Sequence, residues 1–225
     1  NPRSSKEPAL SFSDIADIIL SSVPMFVDRA MNNSPLYIWD AEKGIYSIDQ
    51  HLFASYARRV APNATTKMIN DLQFTMLDND MARSGEVIHE KNLVACKNGI
   101  VDIAKQMLIP FSPKYHFIAK VATCYNPNAK PVAIQTKNGE WRVDKWLSTL
   151  ANGDKETLAL LYQIIGDAAQ SSFSRRQAVW LIGDPSLNNK NGSNGKSSYE
   201  ALLEAVVGKN NTAHLKIDQF SERFA

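Results

Sequence analysis

The residues with the clearest chemical potential are Gly195-Lys196-Ser197-Ser198, preceded by Gly192-Ser193-Asn194. Glycines at a turn let backbone N–H groups approach phosphate oxygens closely. The start of a helix adds unpaired donors and a partial positive charge. A lysine in this position reaches the β- and γ-phosphates of a nucleoside triphosphate, and the hydroxyl after it ligates Mg²⁺. The predicted chemistry is therefore ATP binding with Mg²⁺. Lys196 neutralises phosphate charge and is the candidate catalytic residue. Ser197 holds the metal, and Gly192, Ser193, Asn194, Gly195 and Ser198 shape the cradle. Gly-Lys-Ser alone is a weak signal, because it arises by chance in about one chain in ten of this length. The strict spacing Gly-x4-Gly-Lys-Ser would put glycine at position 190, where Lys190 stands. Gly183 serves as the first glycine only if residues 184–190 are an insertion.

The elements around the motif stand in the order such a loop needs. Ala178-Val179-Trp180-Leu181-Ile182 is a continuous apolar run, the pattern of a strand buried on both faces. A polar loop follows over 184–194, then a helix through Leu202, Leu203 and Val206 to Gly208. The alternative is an exposed Asn/Gly loop before an ordinary helix.

Farther upstream, Ser11 or Ser13 caps a helix expected to run to about Met31, with Ile15, Ile18, Ile19, Ser22 and Phe26 on one face. Residues 36–39 and 44–47 read as a hairpin around a turn at 40–43. Tyr37, Trp39 and Tyr46 are its expected core, although such aromatics can also stack on single-stranded bases. Two helices follow, over 49–60 and 65–77. Strands are expected at 93–96, 100–103 and 107–111, the first turn being Lys97-Asn98-Gly99. Four prolines then mark a loop-rich stretch with a turn at 137–140, before helices over 143–150 and 155–169.

The chain has 225 residues, 44% hydrophobic and 21% charged, which excludes a disordered or fibrous protein. A net charge of +2 is too mild to argue for nucleic acid, and the pairs Arg58-Arg59 and Arg175-Arg176 read as solvated helix edges. Cys96 and Cys124 form no metal-ligand pattern with the four scattered histidines, so no zinc site is expected, and a reducing intracellular compartment is the default. No apolar run is long enough for a membrane helix. The polar start at Asn1 and the absence of a stop signal at Phe224-Ala225 fit a piece of a longer polypeptide.

Taken in order, these segments resemble a known family. Asn92-Leu93-Val94-Ala95-Cys96-Lys97-Asn98-Gly99-Ile100-Val101-Asp102, the helix from Asp154 to Gly166, the run Val179 to Gly183 and Gly192-Ser193-Asn194-Gly195-Lys196-Ser197-Ser198 resemble the superfamily 3 primase-helicases of phages and plasmids, a group that includes poxvirus primase-helicases. Phe220-Ser221-Glu222-Arg223-Phe224 resembles the family's segment after the first ATPase helix. The resemblance covers residues 93–225. It implies an α+β accessory domain followed by the beginning of an α/β P-loop, AAA+-like ATPase domain. The expected boundaries are a linker over 1–10, the accessory domain over 11–144 and the start of the ATPase over 145–225. It further implies an ATP- and Mg²⁺-dependent replicative DNA helicase that assembles into a ring and acts on single-stranded or forked DNA in the bacterial cytoplasm. The Walker B acids, sensor, arginine finger and DNA-contacting hairpin of the family would lie beyond Ala225, so the chain alone is expected not to hydrolyse ATP at a useful rate.

Two other classes compete. Another P-loop enzyme is one, but a GTPase would want Asn-Lys-x-Asp, and Asn189-Lys190-Asn191-Gly192 lacks the aspartate. A non-enzymatic assembly or DNA-docking module with an inert Asn/Gly loop is the other.

Overall fold

The computed structural model describes residues 10–30, 32–78, 82–87, 92–170, 177–182, 195–216 and 219. They form a mixed fold with three small sheets and six α-helices among the described residues. The chain divides into two compact units: one up to Ile88 with Phe111–Ile118 added, the other His89–Pro110 together with the chain from Ala119 onward. The expected linker lies almost wholly outside the described residues.

The first unit begins with helix α1 (Phe12–Ser22). Ser11 caps it: the Asp14 amide donates to Ser11 Oγ, and the Ser11 amide donates back to the Asp14 carboxylate. The helix stops nine residues short of the expected end at Met31. Pro24 is the cause, since a residue before proline is driven out of the helical region and Val23 is indeed extended, at φ −131°. The chain then forms strand β1 (Met25–Val27), which the helical reading missed. The hairpin appears as β2 (Leu36–Asp40) and β3 (Ile45–Ser47), followed by α2 (Gln50–Val60), α3 (Thr66–Asp78) and the short strand β4 (Arg83–Ser84). The strand order is β3-β2-β1-β4, with only β1 and β4 parallel.

The sheet is covered differently on its two faces. On one, Ile15, Ile19, Met25, Ile38, Phe53, Ile69, Leu72 and Met76 pack together, so the three helices bury their apolar stripes against the strands. On the other, Phe26, Tyr37 and Tyr46 form a cluster, with Trp39 against it. The hairpin aromatics are therefore core residues. The Tyr46 hydroxyl donates to the carbonyl of Pro113 at 2.7 Å, and burial pushes its phenol up to about 12. Buried Asp28 accepts the amides of Ala30 and Val87, joining segments far apart in sequence.

Asp40 closes the β2–β3 turn. Its Oδ1 accepts the amides of Glu42 and Lys43 at 3.1 Å each, and its Oδ2 meets Lys43 Nζ at 3.0 Å. Burial pulls this carboxyl upward, but the Lys43 ammonium and the two amides outweigh it and hold it below the usual aspartate value. A depressed carboxylate contributes stability that is fully present above its unfolded pKa, about 3.9, and is lost as the pH falls through the lower folded value. Thermal unfolding followed on acidification below pH ~4 should therefore show the native chain losing stability faster than Asp40→Asn. Parallel profiles would show that the turn carboxylate plays no such part.

The second unit contains an antiparallel sheet of β5 (Leu93–Cys96), β6 (Gly99–Asp102) and β7 (Met107–Ile109), in the expected order. Val94, Cys96, Val101 and Val121 form its core. The loop-rich stretch holds an unanticipated hairpin, β8 (Ala133–Thr136) and β9 (Gly139–Arg142), around the expected turn. Helices α4 (Val143–Leu150), α5 (Lys155–Ala168) and α6 (Lys196–Val207) follow. The compact units divide the chain elsewhere than at residue 144. The Val121 amide donates to Ala95 O and the Ala122 amide to Val206 O, which ties the stretch after Ala119 both to the β5 sheet and to the last helix.

The expected strand at 178–182 is not formed. Residues 177–182 have no regular structure, and Val179, Trp180 and Ile182 are more than half exposed. A strand buried on both faces exists only where neighbouring strands pair its backbone. None of the three sheets includes this segment.

Candidate nucleotide site

Helix α6 carries the residues singled out for phosphate chemistry. Gly195 is its N-cap at φ +75°, ψ +4°, a left-handed conformation that glycine adopts without a Cβ penalty. A second constraint acts on the same position, because a Cβ there would overlap Leu150 Cδ2 at the end of α4. Gly195 brings no side chain to cap the helix, so the amides that open α6 have no side-chain cap from their N-cap residue. Lys196 is the first helical residue. Its side chain is half-buried and those of Ser197 and Ser198 are exposed. Among the described residues, none of the three has a side-chain hydrogen-bond or ion-pair partner.

The helix is fixed at both ends. Tyr199, in its first turn, is 1% exposed and donates its hydroxyl to Leu161 O of α5 at 2.6 Å. Its amide closes the first helical bond to Gly195 O at 2.9 Å. At the far end Gly208, at φ +102°, stops the helix, and Asn211 Nδ2 donates to both Lys120 O and Val207 O at 2.8 Å. Helix α5 is itself capped by Asp154, whose Oδ2 accepts the Thr157 hydroxyl and amide. The Thr157 hydroxyl, then its amide, holds that carboxyl below the usual aspartate range.

The structure thus brings Gly195, Lys196, Ser197 and Ser198 together at one uncapped helix start. Gly183, Gly192, Ser193 and Asn194 lie outside the described residues. Sequence reasoning missed Tyr199 and Leu150, which position the helix start. An aromatic three residues after the lysine was an available signal for Tyr199; nothing in the sequence singled out Leu150. The other motif, Asn92 to Asp102, is structural. Asn98 Nδ2 donates to Tyr125 O while Oδ1 accepts the Tyr125 amide, both at 2.9 Å. A Cβ on Gly99 would stand 2.7 Å from Ile109 O, and Asp102 pairs with Lys105. Among the described residues no helix is long and apolar enough to cross a membrane.

A family model described as D5 N terminal like matches residues 26–158, more than half of the chain, from β1 into α5. The match ends before α6. No curated protein matches the chain.

Proposed function

The chain belongs to the D5 N terminal like family, the N-terminal domain of primase-helicases of phage and plasmid type, and on that premise we propose that it serves DNA replication as part of an ATP-dependent helicase that holds its nucleotide at the start of α6. The carrying observation is Lys196, without a side-chain partner among the described residues, on a helix whose N-cap glycine supplies no side-chain cap. Amides, macrodipole and ammonium all favour an anion at the same point. The triphosphate of ATP fits this donor set: its terminal phosphates meet Lys196 and the amides of residues 196–198. Mg²⁺ neutralises phosphate charge when bound, and the exposed Ser197 hydroxyl is the side chain placed to reach it. In this reading the partners are single-stranded or forked DNA and further copies of the protein in a ring, and Gly183 and residues 192–194 complete the cradle.

A non-enzymatic assembly or DNA-docking module is the second reading. One observation favours it: the run at 177–182 forms no strand before the loop.

Titration with a fluorescent ATP analogue, with and without Mg²⁺, tests the assignment of the metal. Mg²⁺ should tighten binding to the native chain. In Ser197→Ala that gain should disappear while metal-free affinity stays the same. An unchanged Mg²⁺ effect in the variant would remove Ser197 from the site.

A further inference from the structure

The first unit contains a cleft of about 820 Å³ lined by none of the residues at the start of α6. This is within the range for a small-molecule site. The end of α1, strand β4 and the segment 113–116 wall it, and its lining includes Asp17, Tyr46, Arg83, Ser84, Lys114 and His116. Arg83 and Lys114 make no ion pair among the described residues, although Lys114 Nζ stands 4.7 Å from the centre of the Tyr115 ring. Two cations without carboxylate partners at one concave surface leave a site suited to an anion. The carbonyl end of α1 would oppose one, but it is partly occupied: the hydroxyls of Ser21 and Ser22 donate to Ile18 O, and the Val23 amide donates to Ile19 O.

His116 adds a planar surface in a fixed orientation. Its ring stacks on Phe26 with centroids 4.2 Å apart and meets Tyr46 edge-on at 5.4 Å. Its Nδ1 lies 2.9 Å from Glu86 O, and a carbonyl can only accept, so Nδ1 carries a proton. That leaves Nε2 as the ring nitrogen open to a ligand. Gly85 makes this arrangement possible, since a Cβ there would stand 2.8 Å from His116 Cε1 and 2.9 Å from Phe26 Cδ2. Among the described residues of the lining, Asp17 supplies the one carboxylate, an acceptor for an amino or hydroxyl group.

We propose that this cleft binds a nucleotide unit, with its phosphate between Arg83 and Lys114 and its base beside His116. The cations, the hydroxyls, the single carboxylate and the aromatic ring match the charged, polar and planar parts of such a unit. The site is independent of Lys196. A single-stranded nucleic acid and a free nucleotide present the same chemistry.

The test measures anisotropy of a fluorescein-labelled oligothymidylate with the native chain, with Arg83→Ala/Lys114→Ala and with Lys196→Ala, with dTMP as competitor in a second arm. Both replaced side chains are exposed, and circular dichroism checks that the double variant keeps the fold. The double variant should bind roughly tenfold more weakly. Its salt dependence should be shallower by about 0.7 in log–log slope, because the one phosphate held between the two cations is no longer neutralised. Lys196→Ala should bind as the native chain does. Displacement by dTMP at equal nucleotide concentration would identify a free nucleotide as the occupant, and its failure a strand; either is consistent with the cleft. No binding by the native chain, or native affinity and salt slope in the double variant, would overturn the proposal. Loss of binding in Lys196→Ala alone would place the strand at α6 instead.

Discussion

Lys196→Ala is expected to weaken ATP binding on the order of a hundredfold, because a lysine in this position makes charge-assisted hydrogen bonds to two phosphates that nothing nearby replaces. The fold should hardly notice the change. The Lys196 side chain is half-buried and bonds to no other described residue, so stability should stay within about 0.5 kcal/mol. That separation is the diagnostic. A structural lysine would lose stability and binding together, whereas a phosphate ligand loses binding alone. Isothermal titration with ATP, beside urea unfolding of both proteins, measures the two quantities independently. Native-like affinity in the variant would remove Lys196 from any nucleotide site.

Tyr199→Ala is the complementary case, with a large effect on stability. Removing a fully buried aromatic side chain costs about 3–5 kcal/mol, the loss of apolar burial and the cavity it leaves. The hydroxyl bond to Leu161 O goes as well. Tyr199→Phe isolates that bond and should cost about 1 kcal/mol. The two variants should therefore separate clearly in urea midpoint. Because the buried Tyr199 side chain seats the first turn of α6 against α5, the alanine variant should weaken ATP binding through a displaced helix start. The phenylalanine variant should keep it. A Tyr199→Ala midpoint equal to that of the native chain would show that α6 is not held by this residue.

The parts of the fold legible in the sequence are those set by local rules. Ser11 as a cap, the hairpin around Asp40, the turn at Asn98-Gly99 and helices α2 to α6 follow from short-range periodicity and turn chemistry, and the structure contains them. Two failures have different causes. Periodicity extends the first helix to about Met31 because Phe26 falls at helical spacing, yet Pro24 ends the helix and the strand partner Tyr37 lies farther along the chain. The run at 178–182 has the composition of a buried strand, but composition cannot supply the neighbours that would pair it. The site divides in the same way. Lys196 and Ser197 were legible as a motif. The Leu150 contact that demands Gly195 was not, since it depends on where α4 ends in space. The cleft around His116 was not legible either, because Arg83, Lys114 and His116 are scattered and meet only through the fold.

Hydrogen exchange at the amides of Lys196, Ser197 and Ser198, with and without Mg²⁺ and ATP, measures directly whether a phosphate sits at the start of α6. These amides open α6 with no capping side chain, so they should exchange readily in the free protein and slow when phosphate oxygens accept from them. Protection should be confined to this helix start and be lost in Lys196→Ala. Unchanged exchange at saturating ATP, or protection that appears only elsewhere in the chain, would contradict it.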